Sequence, residues 1–304
     1  IGKAGDKVDA KGFRAACRDY AAEQIERQRA DFKRLGILGD WENPYLTMAP
    51  KVEADIVRAL GRIAVNGHLV KGLKPVHWCI DCGSALAEAE VEYEEKTSHA
   101  IDVRFEAVDR DAFLAACGAA SGEGGPVSIP IWTTTPWTLP ANRAVALHPE
   151  LEYALVRTGD EWLLLAAELH EAALARYGLT GEVVARPRGA AIEGLLLRHP
   201  FYEREVPVVL GDHVTTEAGT GAVHTAPGHG LEDHAMGVKY GLAIDNPVGD
   251  DGRFLPSTPL FAGESVHEAN GHVIEVLKEK GVLLAVAKMR HSYPHCWRCK
   301  SPVI

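Results

Sequence analysis

The amino-acid sequence predicts an α+β fold in which a β-barrel-like domain is inserted into a helical, zinc-ribbon base. Periodic helices open the chain, many short strand-like runs fill its middle, and two Cys-x-x-Cys pairs flank that middle part. Many short strands between turn residues are typical of a barrel or sandwich. We therefore expect a helical flank with the first half of the ribbon (1–90), an inserted domain (91–288) and a return segment with the second half (289–304).

The composition is that of an ordinary globular protein. Of 304 residues, 46% are hydrophobic and 24% are charged, which allows two domains and a sizeable core. No apolar run approaches the roughly 20 residues of a membrane span, and no signal-peptide pattern opens the chain. A net charge of −10 argues against non-specific wrapping of nucleic acid. We expect a cytoplasmic protein, cut from a longer one because Ile1 is not an initiator.

Two amphipathic helices are predicted at the start of the chain. Hydrophobic residues between positions 11 and 35 recur near one stripe of a helix, with charges elsewhere. After a turn at 40–44, Pro50 stands early in a second helix, where its missing N–H costs little. With no strand between them, these helices look like the flank of a larger domain.

Strands dominate the predicted middle of the chain. Residues 101–105 alternate in polarity as a half-buried strand does. Further strand-like runs lie at 127–132, 143–147, 153–156, 162–165, 183–185, 207–210 and 222–223. Helices are expected near 166–177 and 264–280, and a strand near 284–289 leads the chain back out.

Four of the six cysteines form two closely spaced pairs, Cys79 with Cys82 and Cys296 with Cys299. This is the spacing of a zinc ribbon whose halves are separated by an inserted domain, and it fits a reducing compartment. Four thiolates close a tetrahedral site, so the predicted zinc is structural and leaves no position open for catalysis. The alternative is two unrelated pairs of small buried thiols.

The segment Gly219–Asp233 joins a strand, a glycine turn and a helix start. Pro227 ends the strand, and a helix begins near Leu231. Free backbone N–H groups at such a junction can receive an anionic or carbonyl ligand. His224 and Asp233 would then face one pocket. In the alternative interpretation, Asp233 only suits the dipole of the helix start.

Three consecutive threonines, Thr133, Thr134 and Thr135, end another predicted strand. Threonines suit strands, so the run can be explained by β-propensity and the proline that follows it. Three hydroxyls in a row cannot all face a core without partners, however, and a wall of hydroxyls suits a polar ligand. The neighbouring Trp132 and Trp137 are either walls of that site or core residues.

These two segments resemble the editing domain of isoleucyl-tRNA synthetase. The resemblance rests on Thr-Thr-Thr-Pro-Trp-Thr-Leu-Pro-Ala-Asn at 133–142 and on the segment Gly219–Asp233. The flanking motifs also agree, at 39–48, 74–79, 85–93 and 291–294. Thr135 and His224 match the isoleucyl pattern, whereas the related valyl enzymes carry an arginine and a lysine there. The resemblance covers essentially the whole chain.

The resemblance implies hydrolysis of tRNA for isoleucine that has been wrongly esterified with valine. One methylene allows a binding site only about 1–3 kcal/mol of discrimination, and isoleucine against valine in this synthetase is the standard example. A second, smaller site raises the selectivity. The parent enzyme binds ATP and charges tRNA, but its His-x-Gly-His and Lys-Met-Ser-Lys-Ser signatures are absent from this sequence. The implied partners are the mischarged tRNA with its valine moiety and the rest of the synthetase.

The resemblance also implies roles for individual residues. Asp233 would hold the α-ammonium group of the substrate, and His224 would line the wall that excludes isoleucine. Thr134, Thr135 and Asn142 would bind the terminal adenosine or position water. Positioned water and donors to the developing oxyanion can suffice for an activated ester, so no general base is named.

Two other functions remain open. A metallohydrolase would use His224, His229, His234 and Asp233, although the histidines are five residues apart and glycines interrupt any shared helix. A non-catalytic tRNA-binding module would contact phosphates through basic side chains. The candidates for such contacts are Arg27, Arg29, Lys33, Arg34, Lys71, Lys74, Arg298 and Lys300.

Overall fold

The structure, a computed structural model, describes residues 8–120 and 124–304, which fall into two compact units. The first unit ends at Leu73 and contains the two predicted helices, α1 (Ala10–Arg34) and α2 (Pro50–Val65). Neither helix contains a buried residue. Residues 1–7 of the predicted helical flank lie outside the described residues.

Polar contacts join the two helices. Arg18 of α1 donates hydrogen bonds to the carbonyl oxygen of Met48 at 2.5 Å and to Glu53 of α2 at 2.7 Å. The apolar side chains of α2 stay in solvent, with Ile56 53% and Leu60 49% exposed. The predicted stripe of hydrophobic residues therefore has no core to cover within this unit.

The second unit, residues 74–304, mixes strands and helices. Its strands are β1 (Trp78–Cys79), β2 (Ser84–Ala85), β3 (Val91–Glu106), β4 (Val127–Thr133), β5 (Ala144–Leu147), β6 (Tyr153–Thr158), β7 (Glu161–Ala166), β8 (Glu182–Ala185), β9 (Leu196–Arg198), β10 (Glu205–Leu210), β11 (Ala222–Thr225) and β12 (Leu283–Cys296). Its helices are α3 (Arg110–Ala116), α4 (His170–Tyr177), α5 (Leu231–Tyr240) and α6 (Val266–Glu279). None of the described helices is both long and apolar enough to cross a membrane.

The strands form one small and two large sheets. The hairpin β1–β2 stands alone, the four-stranded sheet has the order β11-β5-β10-β9, and the six-stranded sheet has the order β12-β3-β4-β7-β6-β8. Pairing is mostly antiparallel, but β10 runs parallel to β5 and β4 runs parallel to β7. The two large sheets share one hydrophobic core, to which Ile131, Val145 and Leu155 contribute fully buried side chains.

The expectation of a barrel-like domain is correct only in part. The fold mixes helices and strands as predicted, but no closed barrel forms in the described part of the chain. The six-stranded sheet ends at β12 and β8, and the four-stranded sheet ends at β11 and β9. Closure requires the first and last strands to share a hydrogen-bond register, which the density of strand-like runs does not report.

The longest strands form a ribbon that is only partly visible in the sequence. β3 and β12 pair antiparallel from Val91 opposite Cys296 to Val103 opposite Leu283. The sequence predicts only 101–105 and 284–289 of these strands. Nearly half of the remaining ribbon is exposed. The residues from Glu94 to His99 are all polar, so the sequence there lacks the apolar–polar alternation of a half-buried strand.

Candidate functional site

The threonine segment leaves β4 and turns into a buried 3-10 helix at Pro136–Ala141. The Thr135 hydroxyl lies 3.2 Å from that of Thr133 and 3.4 Å from that of Thr138. Residues three apart in a 3-10 helix lie above one another, which aligns Thr135 with Thr138. Thr138 is not among the site residues predicted from the sequence, although its spacing of three from Thr135 indicates that it extends the hydroxyl wall.

His224 on β11 contacts this wall of hydroxyls at Thr138 and is only 7% exposed. Its Nε2 lies 3.0 Å from the Thr138 hydroxyl, and its Nδ1 lies 3.5 Å from the side-chain nitrogen of Asn142. The Thr138 hydroxyl donates its proton to the carbonyl oxygen of Thr135 at 2.8 Å. It must therefore accept from Nε2–H, which leaves Nδ1 as an acceptor from Asn142. Burial, reinforced by His229, lowers the pKa of His224 to about 4, so the ring is neutral at pH 7.

Asn142 is fully buried at the far end of this hydrogen-bond chain. Its amide nitrogen also donates to the carbonyl oxygen of Ala144 at 2.8 Å, and its backbone carbonyl accepts from Arg204 at 2.7 Å. Its side-chain oxygen is buried without a protein partner. Because an unpaired buried acceptor costs about 1–3 kcal/mol, this oxygen would gain from a donor supplied by a ligand.

The glycines before β11 are required by close packing. Gly221 has φ of +76°, and a Cβ at this position would lie 2.3 Å from the Cβ of Ala166. The hydroxyl of Tyr153 donates to the carbonyl oxygen of Gly221 at 2.7 Å. These contacts hold the chain against β7 immediately before β11, the strand that carries His224.

Asp233 connects the first turn of α5 back to the end of β11. Its carboxylate accepts a hydrogen bond from the backbone N–H of Ala226 at 2.8 Å. Burial raises the pKa of Asp233 to about 6, against the lowering effect of that hydrogen bond. At pH 7 the group is mostly ionised, as a partner for an ammonium group must be.

The two tryptophans differ in their surroundings. Trp132 is half-buried and packs on the chain before β11, because a Cβ at Gly219 would lie 3.0 Å from the Cβ of Trp132. Trp137 is 7% exposed, and its ring lies edge-on to that of His229 with centroids 5.1 Å apart. Burial lowers the pKa of His229 to about 4, so this ring is also neutral at pH 7.

A cavity of about 230 Å³ opens beside the threonine segment. Thr134, Thr135 and Trp137 line it from the segment, whereas His224 and Asp233 are not among its lining residues. The other walls come from β3, β12 and α6, and include Lys96, Ser98, His267, Asn270 and Tyr293. These walls are not predicted from the sequence, because they come from parts of the chain far from both motifs.

Asn270 ties α6 to the threonine segment. Its side-chain oxygen accepts from the backbone N–H of Trp137 at 3.2 Å, and its nitrogen donates to the carbonyl oxygen of Val266 at 3.2 Å. The helix therefore holds the start of the 3-10 turn in place. A single asparagine in a helical pattern carries no sequence signal for this role.

The four paired cysteines converge at the base of the ribbon. Their sulfur atoms all lie within 4.8 Å of one another, with Cys79 and Cys299 at 3.4 Å and Cys82 and Cys296 at 4.0 Å. A tetrahedral site with metal–sulfur distances of about 2.3 Å has sulfur–sulfur edges of about 3.8 Å. The cluster therefore fits a metal ion.

The histidines of the metallohydrolase alternative form no comparable group. Among residues 8–120 and 124–304, the cysteine cluster is the only set of three or more His, Cys, Asp or Glu ligand atoms that converge. Both ring nitrogens of His224 instead form hydrogen bonds, one with Thr138 and one with Asn142. The basic residues suggested for phosphate contacts include four that form ion pairs with glutamates: Arg27, Arg29, Lys33 and Lys300.

Comparisons with known proteins identify the family. Residues 2–192 match the family model for tRNA synthetases class I (I, L, M and V), and residues 123–283 match that for leucyl-tRNA synthetase, editing domain. The chain is 68% identical over 306 residues to "Isoleucine--tRNA ligase" from Thioalkalivibrio sulfidiphilus and 66% identical over 309 residues to that from Methylococcus capsulatus. Each alignment covers 100% of this chain and 33% of the relative.

A solved structure shares the fold of the second unit. The P. knowlesi cytosolic leucyl-tRNA synthetase editing domain superposes with a TM-score of 0.50 at 10% identity, covering 63% of this chain and 98% of that one. The chain spans about a third of the length of the curated relatives that it matches. It belongs to the class I tRNA synthetases, and within that family its whole length corresponds to a segment of the isoleucine–tRNA ligases.

Proposed function

We propose that this chain is the editing segment of an isoleucyl-tRNA synthetase and hydrolyses tRNA for isoleucine that carries valine. The observation that carries the proposal is the match of residues 123–283 to an editing domain, within a chain that aligns end to end with isoleucine–tRNA ligases. In the reaction, water attacks the carbonyl carbon of the ester and the bond to the ribose oxygen breaks. Free valine and uncharged tRNA are the products.

The polar groups around the threonine segment support binding of the terminal nucleoside and of water. Thr134 and Thr135 border the cavity. The hydroxyls of Thr135 and Thr138 link it, through the His224 ring, to the buried amide of Asn142. The unpaired side-chain oxygen of Asn142 is fully buried and does not line the cavity, so it suits a positioned water better than a ribose hydroxyl. Hydroxyls held in place by one another need no reorganisation when charge develops on the ester oxygen.

The surroundings of His224 support a steric role. Its Nε2–H is donated to Thr138 and its Nδ1 faces the amide of Asn142, so neither nitrogen is free to take a proton from water. The ring is neutral and fixed in orientation. A rigid neutral ring suits a wall that admits valine and rejects the extra methylene of isoleucine.

Asp233 is proposed to hold the α-ammonium group. Its carboxylate accepts a hydrogen bond from the N–H of Ala226, the residue that follows β11 and lies two positions after His224. A charge-assisted hydrogen bond from an ammonium group would add about 1.5–3 kcal/mol to binding. The same ionic bond would offset the burial of the carboxylate.

Zinc is the metal proposed for the four cysteines. The sulfur atoms stand at distances suited to a tetrahedral thiolate site, and such a site has no open position for substrate. Bound metal would join the β1–β2 hairpin to the end of β12 and so close the base of the ribbon. We propose the corresponding domain division, with 91–288 as the editing domain between the flank 1–90 and the return segment 289–304.

The rest of the synthetase is the proposed partner of the first unit. Helices α1 and α2 contain no buried residue, although α2 carries the apolar residues Ile56, Val57, Leu60 and Ile63. Another part of the synthetase would cover them. With tRNA as its substrate, the enzyme would act in the cytoplasm.

A deacylation assay tests the proposal. The full chain is incubated with valyl-tRNA and, separately, isoleucyl-tRNA, both made from tRNA for isoleucine, and release of the free amino acid is followed. We expect faster release of valine than of isoleucine. Binding of the tRNA without any turnover would support the non-catalytic module in place of the hydrolase, and equal rates would refute the valine specificity.

A further inference from the structure

The cavity beside the threonine segment has a cationic side that the proposed hydrolysis does not use. Lys96 on β3 extends across the ring of Tyr293 on β12, with Nζ 4.2 Å from the ring centroid. Both residues line the cavity. Burial lowers the pKa of Lys96, and no carboxylate opposes that shift within the described chain. Among the residues that the structure describes, Lys96 forms no ion pair within 4.0 Å.

His267 adds a second basic group on the opposite wall. It stands in the first turn of α6, and burial followed by the charge of Lys96 lowers its pKa. The carboxylate of Asp81, which accepts a hydrogen bond from Ser301, acts in the opposite direction and raises the pKa of His267. The His267 ring is therefore neutral at pH 7, so Lys96 is the charged group that can meet an anion in this cavity.

The remaining lining supplies neutral donors. Asn270 and the threonine hydroxyls stand on one side, and Ser98 stands on the other, 3.0 Å from the ring Nε2 of His291. Not one aspartate or glutamate lines this cavity, in a chain whose net charge is −10. The start of α6 contributes the positive end of a helix dipole. A volume of about 230 Å³ is ample for a phosphate group.

We propose that this cavity binds a phosphate group of the 3′ strand of the tRNA substrate, with Lys96 as its charged partner. Thr135 belongs both to this cavity and to the hydroxyl wall, and Thr134 lines the cavity beside it. A phosphate held against Lys96 would therefore hold the following ribose and its ester close to the threonines. The identity of the phosphate as part of tRNA rests on the proposed function, whereas the phosphate chemistry rests on the cavity alone.

Hydrolysis of matched esters tests the assignment. Wild type, Lys96→Met and Lys280→Met are compared on valyl-tRNA, on the valyl ester of the trinucleotide CCA, and on the valyl ester of adenosine, which has no phosphate. Lys280 is an exposed lysine at the other end of α6 and serves as the control. We expect Lys96→Met to raise KM about tenfold for the two phosphate-bearing esters and to leave kcat and the adenosine ester unchanged.

Salt dependence provides a second readout. A lost phosphate contact on a single strand should reduce the slope of log KM against log salt by about 0.7 in Lys96→Met, with no change in Lys280→Met. Equal losses on all three esters would show that Lys96 only supports the fold. Unchanged KM and slope on valyl-tRNA would overturn the proposal.

A binding measurement separates this inference from the proposed function. The full chain is titrated with the uncharged CCA trinucleotide, with adenosine and with inorganic phosphate, using calorimetry. The trinucleotide should bind about tenfold more tightly than adenosine, and Lys96→Met should abolish the difference. If that holds without any ester hydrolysis, the phosphate site stands and the hydrolase proposal fails. Binding of inorganic phosphate alone would reject the tRNA strand as the source, and no binding of either phosphate probe would reject the site.

Discussion

At the scale of single residues, one hydroxyl determines the chemistry of His224. Because Thr138 gives its proton to the carbonyl oxygen of Thr135, it can only accept from the imidazole. The ring is thereby held in its Nε2–H form, with Nδ1 facing Asn142. An imidazole engaged at both nitrogens and neutral at pH 7 can shape a pocket but is poorly placed to act as a base.

Selectivity tests that role. His224→Ala removes the ring and enlarges the space beside the substrate, so hydrolysis of isoleucyl-tRNA should rise relative to valyl-tRNA. The ratio of the two rates is measured for wild type and variant, with His234→Ala as the control from the neighbouring helix. If both rates fall together and the ratio stays the same, His224 has a structural or catalytic role and is not part of the wall that excludes isoleucine.

The charge of Asp233 should appear in the pH profile. Its pKa of about 6 lies above the ordinary value of 3.8 because of burial. Protonation below pH 6 would remove the partner of the α-ammonium group, so kcat/KM should fall toward tenfold per pH unit as the pH drops below about 6. The histidines His224 and His229, with pKa values of about 4, titrate too low to cause this bend.

Substitution of Asp233 completes that test. Asp233→Ala should lower kcat/KM by about tenfold or more and remove the bend near pH 6, since an ionic hydrogen bond is worth about 1.5–3 kcal/mol. Glu232→Ala, one residue earlier and exposed, is the matched control: it should keep the bend but move it to slightly lower pH, because the charge of Glu232 adds to the raised pKa of Asp233. Near-normal turnover by Asp233→Ala would leave this carboxylate as a link between α5 and β11 with no role in binding.

At the scale of elements, the position of β11 depends on the backbone before it. Gly221 combines a positive φ with close contact to Ala166 on β7. Arg176 of α4 adds to this support, because it donates to the carbonyl oxygen of Gly219 at 3.3 Å and to the buried carboxylate of Asp102 at 2.7 Å. The strand that carries His224 is therefore held by β3, β7 and α4 together.

Gly221→Ala tests this support. A left-handed alanine costs about 1 kcal/mol, and the clash with Ala166 should add about 1–3 kcal/mol. Gly118→Ala is the matched control, because Gly118 has φ of +71° and open space where a Cβ would stand. Urea unfolding should show a clearly lower free energy of unfolding for Gly221→Ala than for Gly118→Ala. Equal losses would mean that only backbone conformation matters and that the chain before β11 can shift.

At the scale of the whole molecule, the ribbon and the cysteine cluster link distant parts of the sequence. β3 and β12 pair along their length, and the four sulfur atoms meet where the ribbon ends. The backbone N–H of Trp78 also donates to the carbonyl oxygen of Ile304 at 2.8 Å. The metal would reinforce a junction that the chain already makes by hydrogen bonds.

Metal content and stability test this junction. We expect one zinc per chain by elemental analysis, and Cys82→Ser should lose the metal and lower the melting temperature. The rate of ester hydrolysis, measured well below that temperature, should be unchanged because the site is closed to substrate. Cys17→Ser is the control, since Cys17 is exposed on α1. Protein purified without chelator and free of zinc would contradict the assignment.

Local patterns were sufficient for several features of this protein. The run of threonines, the glycine segment and the spacing of the cysteines carry the resemblance to the editing domain, and the comparisons confirm the family. The core strands could be located because each alternates or is continuously apolar over a few residues. Helix α6 could also be located from the sequence, because its buried positions recur at helical spacing.

Tertiary structure decided the features that join distant parts of the chain. Whether the sheets close, how far the ribbon extends and which walls enclose the cavity depend on contacts between residues such as Lys96 and Tyr293, almost 200 positions apart. The tautomer of His224 likewise follows from contacts to Thr138 and Asn142 in another segment. A sequence pattern indicates which positions along a helix or strand are buried. It does not report which element lies opposite, because that depends on the packing of the whole core.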